Sequence, residues 1–167
     1  MEFVPEQRRA TVTVLTPLGW VQGTLHMPPA QTLLDFLQSG SPVVKLTRAR
    51  LPGQPEMVPF VALRTDAIAI VAPTIDELVE PGGVLGRTTP REVEIHLEAG
   101  RVAGRIEVLV NLRVSDFLRQ QAGLTTLRDA VFTPHGPHDQ LQVRRMPVAI
   151  VNLGRATALV QTGGNRR

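Results

Sequence analysis

The densest chemistry in the chain is His135-Gly136-Pro137-His138-Asp139, two imidazoles and a carboxylate within five residues. Neutral imidazole and carboxylate oxygen are ligands for zinc or nickel, which makes His135, His138 and Asp139 the metal candidates. No other histidine or cysteine stands near them in sequence, and Pro/Gly loops often carry exposed histidines. The expectation is therefore no bound metal and no cofactor. Asp35 and Asp116 could form a pair of carboxylates, but each also precedes a short apolar run, where a side-chain oxygen can accept from free N–H groups at a helix start. The second role is the favoured one. His26 and His96 are expected at the surface.

Trp20 is the only tryptophan. It offers a stacking face for a base or a partner side chain, or a cover over a junction within the molecule. Arg101, Arg105, Arg113, Arg119, Arg128, Arg144 and Arg145 could meet phosphates. Glu94, Glu98 and Glu107 lie among them, and there is no tyrosine. A solvated charged face is thus favoured over a single-strand binding surface, in which aromatics alternate with the charges. No glycine-rich phosphate loop, nucleophile elbow or metalloprotease helix occurs. No catalytic residue is assigned, and an enzyme is not expected.

The elements that would carry these residues come in two copies. Residues 12–51 fall on 93–132 at an offset of 81 without a gap. Val12 meets Val93, Gly19 meets Gly100, Gly23 meets Gly104, and Asp35-Phe36-Leu37 meets Asp116-Phe117-Leu118. Residues 59–64 match 147–152 at an offset of 88, so about seven residues are inserted in the second copy.

In the first copy, residues 11–15 and 20–27 alternate as a β-hairpin. Residues 31–38 read as a short helix, 43–49 as a third strand, and 58–63 with 67–71 as a closing hairpin around Arg64-Thr65-Asp66. The second copy repeats the order, with strands at 93–97, 101–110, 124–132, 147–152 and 156–160. Its helix is expected over 116–121, capped by Ser115. Phe36, Leu37, Phe117 and Leu118 are expected beneath their helices. A glycine inside a strand predicts a bulge or close backbone approach at both Gly23 and Gly104.

The expected fold class is mainly β (α+β): two tandem β-β-α-β-β-β modules forming small partly open barrels or bent sheets, packed with pseudo-two-fold symmetry. The expected organisation is a polar lead-in at 1–10, a first module at 11–73, and a linker with one helical turn at 74–91. A second module at 92–162 and a basic tail at 163–167 complete it.

The signature Leu34-Asp35-Phe36-Leu37 followed by Val44-Lys45-Leu46-Thr47-Arg48-Ala49, with its copy Ser115-Asp116-Phe117-Leu118 followed by Leu127-Arg128-Asp129-Ala130, resembles a family of small uncharacterised bacterial β-domains. In that family a "SDFLN" helix precedes a "FLxLTDA" strand. The second copy keeps its Ser-Asp, whereas the first has Leu34 and, at Arg48, loses the acidic residue. The resemblance implies a small β fold and no established activity. A more general similarity to SH3-type and Sm-type barrels is interrupted by the helix after the second strand. Fold likeness carries no function with it.

Composition sets the remaining bounds. The 167 residues contain no cysteine, which excludes disulfides, thiolate metal sites and cysteine nucleophiles. No apolar run approaches the roughly 18 residues of a membrane helix, and the acidic start is unlike a signal peptide. A cytoplasmic protein with no membrane contact is expected. Residues 1–80 hold six Lys/Arg against eight Asp/Glu, a net −2, and residues 81–167 hold twelve against seven, a net +5. Lys45 is the only lysine, and codon bias explains an arginine excess as well as phosphate contact does.

A non-enzymatic module that binds a protein partner or self-associates is expected first. Its contacts would be exposed strand edges at 58–63 or 147–151. Nucleic-acid binding by the second module's arginines is the alternative, since residues 1–80 are the poorer polyanion surface by net charge. A small metal-dependent enzyme comes last.

Overall fold

The computed structural model describes residues 7–74, 87–120, 123–136 and 142–163. The chain divides into two compact units, Met1–Glu80 and Pro81–Arg167. The described residues are mainly β, and the strands are antiparallel.

The first unit holds strands β1 (Arg8–Thr16) and β2 (Gly19–Met27), helix α1 (Leu33–Leu37), and strands β3 (Val43–Arg50), β4 (Val58–Arg64) and β5 (Ile70–Pro73). The second holds β6 (Thr88–Leu97), β7 (Gly100–Leu109), helix α2 (Val114–Gln120), β8 (Leu124–Pro134), β9 (Arg144–Asn152) and β10 (Ala156–Gln161). Within the first unit the strand order is β5-β1-β2-β3-β4, and within the second it is β10-β6-β7-β8-β9. The two orders correspond strand for strand.

The correspondence reaches single residue pairs. Val12 stands opposite Gly23 as Val93 stands opposite Gly104. Thr24 pairs with Thr47 as Arg105 pairs with Arg128. Val43 pairs with Arg64 as Leu124 pairs with Asn152. Even the turn bonds recur: the Thr65 N–H donates to the Pro42 carbonyl at 3.0 Å, and the Leu153 N–H donates to the Gly123 carbonyl. Each unit's core comes from the inward positions of its strands, Val12, Val21, Leu25 and Leu46 in one and Val93, Val102, Ile106 and Leu127 in the other.

Four expectations are corrected. First, β4 and β5 do not form a hairpin. A 3₁₀ turn, Thr65–Ala67, carries the chain onward, and β5 pairs with β1 at the other end of the strand order. Arg64-Thr65-Asp66 has no residue at positive φ, whereas tight hairpin turns require one. β10 likewise pairs with β6 after a 3₁₀ turn at Leu153–Arg155.

Second, Ser115 does not cap α2, because the helix already begins at Val114; the Asp116 and Phe117 N–H groups donate to the Arg113 carbonyl. Helix α1 is capped by Thr32, whose hydroxyl accepts from the Asp35 N–H at 3.1 Å. Asp35 and Asp116 each stand in the first helical turn, where the backbone dipoles favour negative charge.

Third, the buried helix anchors are Leu33, Leu37 and Val114, while Phe36, Phe117 and Leu118 are only half-buried. Positions 33 and 37 lie one above the other on one face, and a helix this short cannot bury its flank as well.

Fourth, β6 begins at Thr88, inside the stretch read as linker, and β1 begins at Arg8, inside the lead-in. All of the expected helical turn at 74–80 but Thr74, and all of the tail but Gly163, lie outside the described residues. No helix among the described residues is long and apolar enough to cross a membrane.

Candidate interaction surfaces

Both units bend at the same place. Between Gln22 and Thr24, and between Ala103 and Arg105, the pairing with the next strand slips by one residue. The extra residue on the partner strand adopts a left-handed conformation, Arg48 at φ 50° and Asp129 at φ 48°. Opposite it the backbones come so close that a Cβ on Gly23 would lie 2.8 Å from the Leu46 Cβ. A Cβ on Gly104 would lie 3.0 Å from the Arg128 carbonyl oxygen. The in-strand glycines therefore mark bulges, as their spacing predicts. A bulge turns its extra side chain out to solvent, and in the two copies these side chains carry opposite charge.

In the second unit the charge at the bulge is paired. The Arg105 guanidinium bonds the Asp129 carboxylate, and Arg105 also stands opposite Glu92 on β6. Arg101, exposed on the same face, stands opposite His96. The Nε2 of His96 is 2.7 Å from a Glu94 carboxylate oxygen, and the His96 ring stacks on His135 with centroids 6.3 Å apart. Arg145 is exposed and Arg144 half-buried at the start of β9. Arg113 and Arg119 lie exposed around α2, away from this sheet face, whereas Arg128 sits opposite Arg105. An open hollow of about 550 Å³ beside α2 brings Arg113 near Arg91. The arginines expected to form one phosphate face are thus split between locations, and the best aligned of them is neutralised.

Of the metal candidates, His138 and Asp139 lie outside the described residues, and no group of three or more His, Cys, Asp or Glu among the described residues could hold a metal ion. His96 is only half-buried and engages both Glu94 and His135. Trp20 is half-buried opposite Leu15, in a part of β1 where Val14 and Leu15 are both buried.

The first unit shows a surface that composition hid. Its five strands contain no acidic residue and six basic ones, Arg8, Arg9, Lys45, Arg48, Arg50 and Arg64. The net −2 of residues 1–80 comes from acids outside the strands. On the outward face, Arg48 and Arg50 border a cleft of about 380 Å³ floored by Gly23, with Thr11, Gln22 and Thr24 beside it. The Lys45 ammonium sits 5.1 Å from the centre of the Phe60 ring, and Phe60 is 58% exposed. On this same face the His26 Nε2 and Thr47 Oγ1 are 2.7 Å apart. The available signal was the absence of Asp and Glu from each strand segment, which a sum over the whole half conceals.

The strand edges also differ. β4 is paired on one side only among the described residues; Phe60 lies exposed on it, as do Met57 just before it and Val43 on the neighbouring β3. Along the other expected edge, 147–151, the side chains of Val148, Ala149, Ile150 and Val151 are all fully buried, so it presents none of the exposed apolar surface seen at β4.

The chain shows no significant match to any protein-family model, curated protein or solved structure.

Proposed function

We propose that this protein is a non-enzymatic interaction module that takes up an extended strand along β4, either from a protein partner or from a second copy of the chain. The supporting observation is the one-sided pairing of β4, with Phe60 58% exposed beside it. Unpaired N–H and C=O groups along an edge are a template for an added strand. Pro59 removes one donor near the start of this edge, which confines pairing to residues 60–64 and gives it a register. The same proposal treats the units as a tandem duplication of one partly open small barrel of the SDFL type, supported by their shared registers and turn bonds. It also takes the module to work in the cytoplasm. Nucleic-acid binding by the second unit's arginines has less support, because Arg105 is paired with Asp129.

The test is hydrogen–deuterium exchange of β4 amides across a protein dilution series, with mass followed by light scattering. Self-pairing predicts a rise in mass with concentration and slower exchange confined to β4. A constant monomer mass would limit the partner to another protein. Outward β4 amides already protected in the monomer would sink strand addition altogether, because the edge would not be open.

A further inference from the structure

We infer that the outward face of β2, β3 and β4 in the first unit is a binding site for single-stranded nucleic acid, separate from the β4 edge. Edge groups lie in the plane of the sheet, whereas these side chains stand perpendicular to it.

The face has the three components such a ligand needs. The first is a row of cations. Lys45, Arg48 and Arg50 are all exposed along β3, and Arg9 is exposed on β1. At about 3.3 Å per residue the β3 row spans roughly 16 Å, enough to follow several phosphates of an extended strand. Among the described residues neither Arg48 nor Arg50 has an ion-pair partner, and no strand of this unit contributes an acid. The second is a recess. The bulge at Gly23 opens the cleft between Arg48 and Arg50, with the Thr11 and Thr24 hydroxyls and the Gln22 amide at its side to bond phosphate or sugar oxygens. The third is an aromatic surface. Phe60 lies on the same face with Lys45 against it, so a base stacking on the ring would bring its phosphate toward the ammonium.

The second copy sharpens the assignment. At the equivalent positions it has Pro90 for Arg9, Thr126 for Lys45, Asp129 for Arg48, Val131 for Arg50 and Val148 for Phe60. Every charged or aromatic member is changed, while the bulge that shapes the face is kept. The chain's only lysine is among them, and codon usage does not account for that one. A duplex is a poorer occupant, because its bases are already stacked and unavailable to Phe60.

The experiment is fluorescence anisotropy of the full chain with labelled oligo-U and oligo-dT at several salt concentrations. The variants are Arg48→Asn with Arg50→Gln, Phe60→Ala, and Arg101→Gln with Arg105→Gln. Asparagine suits position 48 because it tolerates positive φ, and a circular dichroism melt checks each fold. Binding should weaken steeply between about 50 and about 200 mM salt. The Arg48/Arg50 variant should lose about tenfold in affinity, and its salt slope should flatten by about 1.4, at about 0.7 per phosphate contact. Phe60→Ala should weaken binding with the salt slope unchanged, and the Arg101/Arg105 variant should bind as the parent does. The inference is overturned by absence of binding at about 50 mM salt, by a folded Arg48/Arg50 variant that binds like the parent, or by loss confined to the Arg101/Arg105 variant. Equal competition by polyglutamate would also overturn it, assigning the face to acidic peptides.

Discussion

Three in-strand glycines make a graded test of how closely the backbones approach. A Cβ on Gly100 would meet the Thr133 carbonyl oxygen at 2.4 Å and the Phe132 ring at 2.7 Å. One on Gly23 would meet the Leu46 Cβ at 2.8 Å, and one on Gly104 would meet the Arg128 oxygen at 3.0 Å. None of the three needs positive φ, so the cost of alanine is steric. Overpacking costs about 1–3 kcal/mol, while alanine restricts the unfolded chain and returns about 0.4–1 kcal/mol. At Gly104 a shift of a few tenths of an ångström suffices, and the net effect should be below about 1 kcal/mol. At Gly23 the obstacle is a Cβ fixed to the β3 backbone, and a net loss of about 1–2 kcal/mol is expected. At Gly100 the obstacle is backbone together with a fully buried ring, so β7 and β8 must separate and the loss should reach about 3 kcal/mol. For units of this size 1 kcal/mol moves Tm by about 4–8 °C, so thermal melts followed by far-UV circular dichroism resolve the order. If Gly100→Ala melts at or above the parent, or below it by less than Gly104→Ala does, the close approach at β7–β8 is not what these glycines serve.

The helix anchors give a second prediction. Leu33→Ala should cost about 2–5 kcal/mol, and Phe36→Ala less despite its larger side chain, because Leu33 is fully buried and Phe36 is not; denaturant unfolding of both variants checks the order. A third concerns the bulge charge. Asp129→Asn removes an ion pair whose side chains are 48% and 69% exposed, so stability measured the same way should change by less than about 1 kcal/mol.

Strand positions and bulges were legible in the sequence because each is set locally. Alternation fixes which residues face inward, and a glycine in mid-strand has few uses besides a close approach. The two units share their strand order and registers, so each signal counts twice. The course of β5 was not legible, since a fourth and fifth apolar segment in succession look alike whether they pair with each other or lie at opposite ends of the order. Only the 3₁₀ turn distinguishes the two, and the turn residue in Thr65-Asp66-Ala67, Asp66, suits a hairpin as well as a 3₁₀ turn. The buried side of the helices is hidden for a similar reason. A run of Leu33, Leu34, Phe36 and Leu37 is apolar on nearly every side, so the pattern does not say which side faces the sheet. The charged surfaces are hidden in any sum along the chain, because strands bring together residues that lie far apart in it. Arg9 and Arg50 lie on one face, while the acids that cancel them in the sum are not on these strands.

What separates function from fold in such a molecule is the comparison of its two halves. At Gly23 and Gly104, and at Leu46 and Leu127, the two units carry the same residue where close packing leaves no choice. Position 48 and its equivalent 129 are held to one backbone conformation in both copies, yet one carries a cation and the other an anion. Arginine gains nothing at positive φ that asparagine or glycine would not supply better, so its presence there is not explained by the bulge. In the second copy the matching aspartate has a partner in Arg105, and the residue equivalent to Arg105 in the first copy is the uncharged Thr24. The pair is thus present in one unit, while the other carries Arg48 and Thr24 at the same strand register. A solvent-facing position that tolerates such a change carries no weight in folding. The concentration of four cations and one aromatic at such positions on a single face is therefore better explained by what the face meets than by what it supports.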